Sequence, residues 1–283
     1  MFQAAQTSER ATWFAHLDVV SLRTSEIGKQ LIAELGGDSQ RQLRQFERML
    51  NFHPIDDLDS VTVYGTSNDP EKAVALISGT FDTERLTGIA EDGDGYTPFD
   101  HGRTTIHSWK DGGRRIYGAI SSEKLVMISP EIDLVRMALD VTTGVGNGLS
   151  EENLFGHVTP DQAPIIIASA NLSDLGSLNI DSALVRKVES IYVSAGEHGG
   201  ELHAYAALKT ADQRSAKLVD QMLHGVLALA EASGEIPQDI IDGFKTELGD
   251  GDDHGSISLT VSLPVRKFKS LVAKIEKAAE GLQ

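Results

Sequence analysis

The sequence predicts an α+β protein of two similar lobes, each an antiparallel sheet backed by helices. Three observations lead to this prediction. Several segments alternate polar and apolar residues, which is typical of strands in a sheet with one solvated face. Segments with apolar residues at helical spacing follow those strands. The order of elements in the first half of the chain then recurs in the second half.

Composition limits the possible partners. The chain has 283 residues and a formal charge of −17, and it contains no cysteine. The excess of negative charge argues against nucleic acid and anionic membranes as partners. No apolar run approaches the roughly 18 residues that a membrane span needs. Without cysteine the chain has no disulfide and no thiolate metal site. We expect no cofactor, and an unidentified protein or small ligand as the partner.

The first strand is predicted at 13–20, where Phe14, His16 and Asp18 share one face. A helix starts at Thr24 or Ser25, and a second helix ends near Leu50, before Pro54. The other elements predicted in the first half are strands at 60–65, 73–81, 104–109, 115–120 and 125–129, a short helix capped by Asp82, a turn at Asp111-Gly112-Gly113 and a helix from Ser129 to about Asp140.

A polar segment at 142–164, rich in glycine, is predicted to link a first lobe at 1–141 to a second at 165–283. In the second lobe Asp212 begins a long helix that ends before Gly234. Its apolar stripe is expected to pack against a sheet, and consists of Val219, Met222, Leu223, Val226 and Leu227. The other predicted elements are strands at 165–172, 190–195, 201–209 and 256–263, a helix at 237–248 and a basic last helix from Pro264.

An internal duplication would explain why the two halves share an order of elements. Ser60-Val61-Thr62-Val63 matches Ser190-Ile191-Tyr192-Val193, and Asp82 matches Asp212, in both cases 130 positions later. Each half also opens with an apolar strand and closes with a strand, a proline and an amphipathic helix. The predicted structure is therefore one strand–helix unit used twice.

Four segments resemble uncharacterised exported bacterial proteins, namely 13–18, 57–65, 79–82 and 105–109. In those proteins a removed signal precedes a repeated strand–helix unit. The resemblance implies export and a duplicated α+β fold, and it implies no activity. Residues 1–10 lack the basic and apolar regions of an intact signal peptide. We therefore expect a periplasmic or secreted protein whose signal is absent from this chain; a cytoplasmic location is the alternative.

His16, Asp18 and His107 are the candidate acid–base residues. His16 and Asp18 share a strand face, and His107 lies on another strand of the same half. A His–Asp pair can transfer protons because histidine titrates near neutral pH. The competing interpretation is that these residues form hydrogen bonds on a half-buried sheet face.

The candidate metal ligands are Asp250, Asp252 and Asp253. They lie in a glycine-containing loop, and hard cations prefer several carboxylate oxygens from one tight turn. Val261 occupies the position at which a calcium loop needs a bidentate glutamate. The loop is therefore expected to be solvated and to hold no tightly bound metal.

Three functions remain open from the sequence. The first is a non-enzymatic exported or cell-envelope protein that binds a partner or ligand. The second is a carrier of an apolar ligand such as a lipid, held between a curved sheet and its helices. The third is a hydrolase that uses His16 and Asp18. An apolar cavity would favour the carrier, and a cleft in which His16, Asp18 and His107 converge would favour the enzyme.

Overall fold

The computed structural model describes residues 6–67, 69, 71–149, 164–172, 187–234, 238–249 and 255–267. The chain divides into two compact units, Met1–Val158 and Thr159–Gln283. The division falls inside the segment 142–164. Both units combine helices with antiparallel strands, which confirms the α+β class.

The described part of the first unit forms a seven-stranded antiparallel sheet in the order β1-β2-β3-β7-β6-β5-β4. Its strands are β1 (Trp13–Asp18), β2 (Leu58–Gly65), β3 (Ala73–Gly79), β4 (Thr97–His101), β5 (Thr104–Asp111), β6 (Arg114–Ser122) and β7 (Leu125–Ser129). Its helices are α1 (Val19–Thr24), α2 (Glu26–Ala33), α3 (Gly37–Leu50), α4 (Thr83–Glu91) and α5 (Ile132–Thr142).

One face of this sheet, here called the inner face, forms the core of the first unit. Residues opposite one another in neighbouring strands share a face, so the register defines its members. Tyr64, Leu76, Met127 and Ile106 all lie on the inner face and are buried. Helix α5 packs against β3, β6 and β7 and is itself the element with the most buried apolar residues in this unit.

The opposite face, here called the outer face, is also apolar but is less covered. One cross-strand row runs across five neighbouring strands, and its residues are half-buried. This outer row consists of Leu17, Val61, Ile77, Val126 and Ile120. Apolar residues on both faces depart from the simple alternation of a sheet with one solvated side.

The described part of the second unit forms a five-stranded antiparallel sheet in the order β8-β9-β10-β12-β11. Its strands are β8 (Ile166–Asn171), β9 (Val188–His198), β10 (Glu201–Thr210), β11 (Phe244–Gly249) and β12 (Gly255–Pro264). Its helices are α6 (Gln213–Ser233) and α7 (Gln238–Ile241).

Helix α6 begins and ends as the sequence predicts. Asp212 is its N-cap and accepts a hydrogen bond from the Ser215 backbone N–H at 2.6 Å. Gly234 ends it with a φ of 66°, in the left-handed region that glycine adopts without steric cost. The core of this unit forms where Ala216 and Val219 of the helix meet Val188 and Ile257 of the sheet.

The predicted burial of the α6 stripe is partly wrong. Val219 is buried and Leu223 packs beside the core, but Met222 and Val226 are exposed, Val226 to 63%. A straight helix on a sheet buries only one strip of its surface. The five predicted residues span a wider arc than that strip.

The predicted helix at 237–248 is also wrong beyond its first turn. After α7, Gly243 breaks the helix and Phe244–Gly249 pairs with β12. A Cβ at Gly243 would lie 2.8 Å from the Ser262 carbonyl oxygen, so the backbone at this residue lies too close to β12 to leave room for a side chain. Phe244 and Leu248 have a spacing that helices and strands both allow, and pairing with β12 decides between them.

Two elements of the first unit were not predicted from the sequence. Helix α1 replaces the end of the predicted first strand, and β4 adds an edge strand beside β5. Pro98 lies within β4, which fits an edge strand because proline cannot donate to a second neighbour. None of the helices in the described ranges is both long enough and apolar enough to cross a membrane.

Candidate functional site

His16 lies on the inner face of the first sheet and is almost completely buried. Its Nδ1 is 2.8 Å from the Thr62 Oγ1 on the neighbouring strand, directly opposite in register. Burial lowers the pKa of His16 to about 4, although the charge of Asp18 opposes this shift. The imidazole is therefore neutral at physiological pH and a weaker base than an ordinary histidine.

Asp18 ends β1 and is the N-cap of α1. Its Oδ1 accepts a hydrogen bond from the Ser21 backbone N–H at 2.7 Å. Burial favours the protonated form, yet the pKa of Asp18 lies below its ordinary value, and the hydrogen bonds from Ser21 are among the causes that lower it. The carboxylate thus satisfies the free N–H groups at the start of a helix, which is a structural role.

His107 lies far from His16 and on the opposite face of the sheet. Ile106 shares the inner face with His16, so the adjacent His107 belongs to the outer face. Five strand-to-strand steps separate β1 from β5, which is about 24 Å at the usual strand spacing. The structure does not bring His16, Asp18 and His107 together.

His107 has a local partner instead. Its Nδ1 is 3.0 Å from the hydroxyl oxygen of Tyr96, and the two rings stack with their centroids 6.0 Å apart. Burial lowers the pKa of His107 below its ordinary value, and the charge of Glu91 opposes the shift. This arrangement holds a neutral ring against the sheet.

Asp250, Asp252 and Asp253 lie outside the described residues. Within the part of the chain that the structure describes, no group of three His, Cys, Asp or Glu side chains could hold a metal ion. The two basic residues at the predicted start of the last helix, Arg266 and Lys267, are described, and the later lysines are not.

One polar cluster in the second unit was missed from the sequence. Ser262 and His203 are direct cross-strand partners, with Oγ and Nδ1 3.2 Å apart. Ser262 also donates its hydroxyl hydrogen to the Glu201 carboxylate at 3.0 Å. Because a hydroxyl has one hydrogen, His203 must act as the donor to Ser262 rather than as its base. In this arrangement His203 is therefore not the base that accepts the proton of Ser262.

The sequence could not reveal this cluster. Ser262 and His203 lie 59 positions apart along the chain, and only the register of β10 with β12 brings them together. His101 and Asp140 form a similar pair in the first unit, with Nε2 and Oδ1 2.7 Å apart. Such pairs become visible only when the strand pairing is known.

Helix α3 is the clearest candidate for a binding surface. None of its 14 residues is buried, and Phe46 and Met49 are among the exposed large apolar residues. The helix is fixed at its C-terminal end, where the guanidinium of Arg85 donates to the carbonyl oxygens of Met49 and Arg48 at 2.8 and 3.3 Å. Asn51 then ends it in the left-handed conformation.

Comparison with known proteins gives little further information. No protein-family model matches the chain, and no curated protein matches it. Among solved structures, crystal form III of the Treponema protein TP0453 is 10% identical and covers 95% of this chain and 96% of its own, with a TM-score of 0.49. Crystal form I of the same protein is 9% identical and covers 95% of each chain, with a TM-score of 0.46.

Proposed function

We propose that this protein is a non-enzymatic exported or cell-envelope protein that binds a protein partner through α3. The observation that carries the proposal is that an amphipathic helix of 14 residues has no buried residue. Surface helices normally bury their apolar side, and exposed apolar patches mark interaction sites. Phe46 and Met49 would supply the apolar contact, and the nearby arginines would form its polar rim.

The acid–base candidates give weaker support to a hydrolase. Asp18 caps a helix, His16 is neutral and buried, and His107 lies on the other face of the sheet. Each therefore has a structural partner that accounts for its position. Export is proposed from the resemblance of 13–18 and the other matching segments to exported bacterial proteins.

Photo-crosslinking in the source cells tests the binding proposal. A benzoylphenylalanine at position 46 is expected to give discrete adducts with one partner, and Met49→Ser is expected to reduce their yield. The matched control places the same group at Val145, which is 79% exposed and lies outside α3. Equal adducts from positions 46 and 145, or no adducts from position 46, would contradict the proposal.

A carrier of an apolar ligand is the second candidate, and the outer row favours it. Half-buried apolar side chains on five neighbouring strands offer a surface on which an acyl chain could lie. Titration with a fluorescent fatty acid is expected to show saturable binding that Ile77→Ser weakens and Val145→Ser does not. Binding that is equal in both variants would exclude the outer row as the site.

The internal duplication is also proposed, and the strand orders support it. In the first sheet, β1, β2 and β3 pair in sequence, β7 then pairs with β3, and β6 lies beyond β7. The second sheet has the same order, with β8, β9, β10, β12 and β11 in the corresponding places. An experimental structure tests this through superposition of residues 11–141 on 163–280, and agreement in fewer than half of the paired strands would contradict it.

A further inference from the structure

A short antiparallel ladder ties the N-terminal segment of the first unit to the residues that follow α5. The Glu9 backbone N–H donates to the Asn147 carbonyl oxygen at 3.1 Å. Two positions further along, the Leu149 backbone N–H donates to the Thr7 carbonyl oxygen at 2.7 Å. These two hydrogen bonds hold residues 7–9, here called the strap, in place.

The strap covers part of the inner face of the first sheet. Thr7 and Ser8 are almost completely buried. Tyr64 belongs to the inner face and is also buried, and its hydroxyl lies against the backbone of Ser8. Release of the strap would therefore expose buried polar and aromatic groups to water.

A side-chain hydrogen bond fastens the ladder at the surface of the protein. The Asn147 Nδ2 donates to the Glu9 Oε1 at 3.1 Å, and both residues are exposed. An amide can donate to a carboxylate, but a second carboxylate cannot, because ionised carboxylates only accept hydrogen bonds. The chemical identity of residue 147 therefore decides whether this contact attracts or repels.

Asn147 precedes Gly148, and this is the only Asn–Gly pair in the chain. Asparagine is a chemically labile residue, because the backbone nitrogen of the next residue can attack its side-chain amide. Glycine at the next position favours this attack, since it has no side chain to hinder the approach and its backbone is free to adapt.

The backbone nitrogen of Gly148 is not used by the ladder. Gly148 lies opposite Ser8, between the two ladder hydrogen bonds. In an antiparallel pair, residues at such a position direct their own N–H groups away from the partner strand. The attacking nitrogen and the exposed Asn147 amide are therefore adjacent, and water has access to both products and intermediates of an attack.

We propose that Asn147 is a site of spontaneous deamidation and that its product releases the strap. In the first step the Gly148 nitrogen forms a bond to the Asn147 Cγ. The Cγ–Nδ2 bond breaks, and ammonia leaves with the proton of the Gly148 amide. Water then opens the cyclic imide at one of its two carbonyl carbons, which leaves aspartate or isoaspartate at position 147.

Both products place a carboxylate beside that of Glu9. The hydrogen bond from Nδ2 is lost, and two negative charges meet in a chain that already carries −17. Isoaspartate also inserts a methylene group into the backbone within the ladder, so the two ladder hydrogen bonds lose their register. Deamidation is therefore a one-way chemical switch that opens the strap.

Incubation of the full chain at neutral pH, followed by peptide mass spectrometry, tests the modification site. Deamidation is expected at Asn147 before Asn51, which is also exposed but precedes the bulky Phe52. Gly148→Ala is expected to remove most of the product at position 147, and the chain unfolded in urea gives the reference rate. The proposal is overturned if Asn147 stays intact while the unfolded chain is converted, or if it reacts no faster than Asn51.

Hydrogen exchange of the Glu9 and Leu149 amides tests the release of the strap. In Asn147→Asp both amides are expected to exchange roughly tenfold faster, as for the loss of one hydrogen bond. Glu9→Gln combined with Asn147→Asp is the matched control, because the glutamine amide can donate to the new carboxylate and slow exchange again. The amides of β3 check that both variants remain folded. Unchanged exchange in Asn147→Asp, or no recovery in the double variant, would overturn the release.

Discussion

At the residue scale, the face of a strand decided what the candidate residues do. His16 and Asp18 share the inner face, as the period of two along a strand predicts. The inner face forms the core of the first unit. His16 and Asp18 are therefore buried because they lie on that face. A histidine without water is neutral, and an aspartate at the end of a buried strand is well placed to cap the next helix.

The buried His16 is expected to make stability depend on pH. The pKa of His16 is about 4 in the folded protein and near 6.5 in the unfolded chain. Between these pH values the unfolded state binds a proton that the folded state does not bind, so the free energy of unfolding falls as the pH is lowered. The slope from this residue is at most about 1.4 kcal/mol per pH unit.

Urea denaturation of the unaltered chain and of His16→Gln, between pH 4 and 7, measures this contribution. The His16→Gln variant is expected to lose part of the slope. His224→Gln is the control, because the ring of His224 is exposed on α6. An identical slope in the unaltered chain and in His16→Gln would show that His16 titrates normally in the folded protein.

Asp18→Ala is expected to lower the free energy of unfolding by about 1 kcal/mol at pH 7, because α1 loses its N-cap. Asp18→Asn is expected to cost less, since asparagine also caps helices. The pKa of Asp18 is lowered in the folded state, so the carboxylate stabilises the protein above the unfolded pKa near 3.9. The difference between the unaltered chain and Asp18→Ala should therefore narrow as the pH falls below that value. Equal stability at pH 7 would refute the capping role.

At the element scale, helix α6 shows that apolar spacing predicts a helix better than it predicts burial. The helix and its caps lie where the sequence predicts them, but the predicted stripe includes residues from both a buried and an exposed side of the helix. Apolar residues on two sides of one helix cannot be assigned to core and surface from spacing alone. Packing against β12 and β10 selected Val219 for the core and left Val226 outside.

A matched pair of substitutions in α6 tests this division. Val219→Ala removes two methyl groups from a side chain that is 1% exposed, and it is expected to cost roughly 1–3 kcal/mol. Val226→Ala makes the same chemical change on the exposed side, and it is expected to change the free energy of unfolding by no more than about 0.5 kcal/mol. Both values come from equilibrium denaturation at low protein concentration. Equal losses would mean that the two sides of α6 are packed alike.

Gly243 and Gly225 form a second matched pair. Gly243→Ala would push a Cβ to 2.8 Å from the Ser262 carbonyl oxygen, so we expect a loss of roughly 1–3 kcal/mol. Gly225→Ala adds a Cβ in open space within a helix and is expected to raise the free energy of unfolding by up to about 1 kcal/mol. Thermal denaturation of dilute samples compares them. A Gly243→Ala variant as stable as the unaltered chain would show that the backbone at Gly243 does not approach β12 as closely as described.

At the scale of the whole molecule, the negative charge governs how cations interact with it. Three aspartates at 250, 252 and 253 lie in a chain with a charge of −17, but the sequence supplies no closing glutamate at Val261. Calcium is expected to bind weakly, and salt should screen this binding because the Debye length is roughly 8 Å at physiological ionic strength. Calorimetric titration at low and high salt measures it. A stoichiometric site of micromolar affinity, lost on changing Asp250 and Asp252 to Asn, would refute this prediction.

The sequence by itself determined the α+β class, most strands and the caps of the long helix. These features depend on local chemistry: alternation along a strand, a glycine pair in the turn after Asp111, and a carboxylate at Asp212 before a helical stripe. Each of these features depends on residues a few positions apart in the chain, so it can be predicted without knowledge of the fold.

Only the tertiary structure decided which apolar residues are buried, whether 244–249 is helix or strand, and which polar groups meet. Phe244–Gly249 is a strand because its backbone forms hydrogen bonds with β12. His16 lies far from His107 because four other strands, β2, β3, β7 and β6, separate β1 from β5 in the sheet order. Ser262 meets His203 through register alone. Burial and pairing are properties of contacts between distant segments, and the spacing within one segment does not encode them.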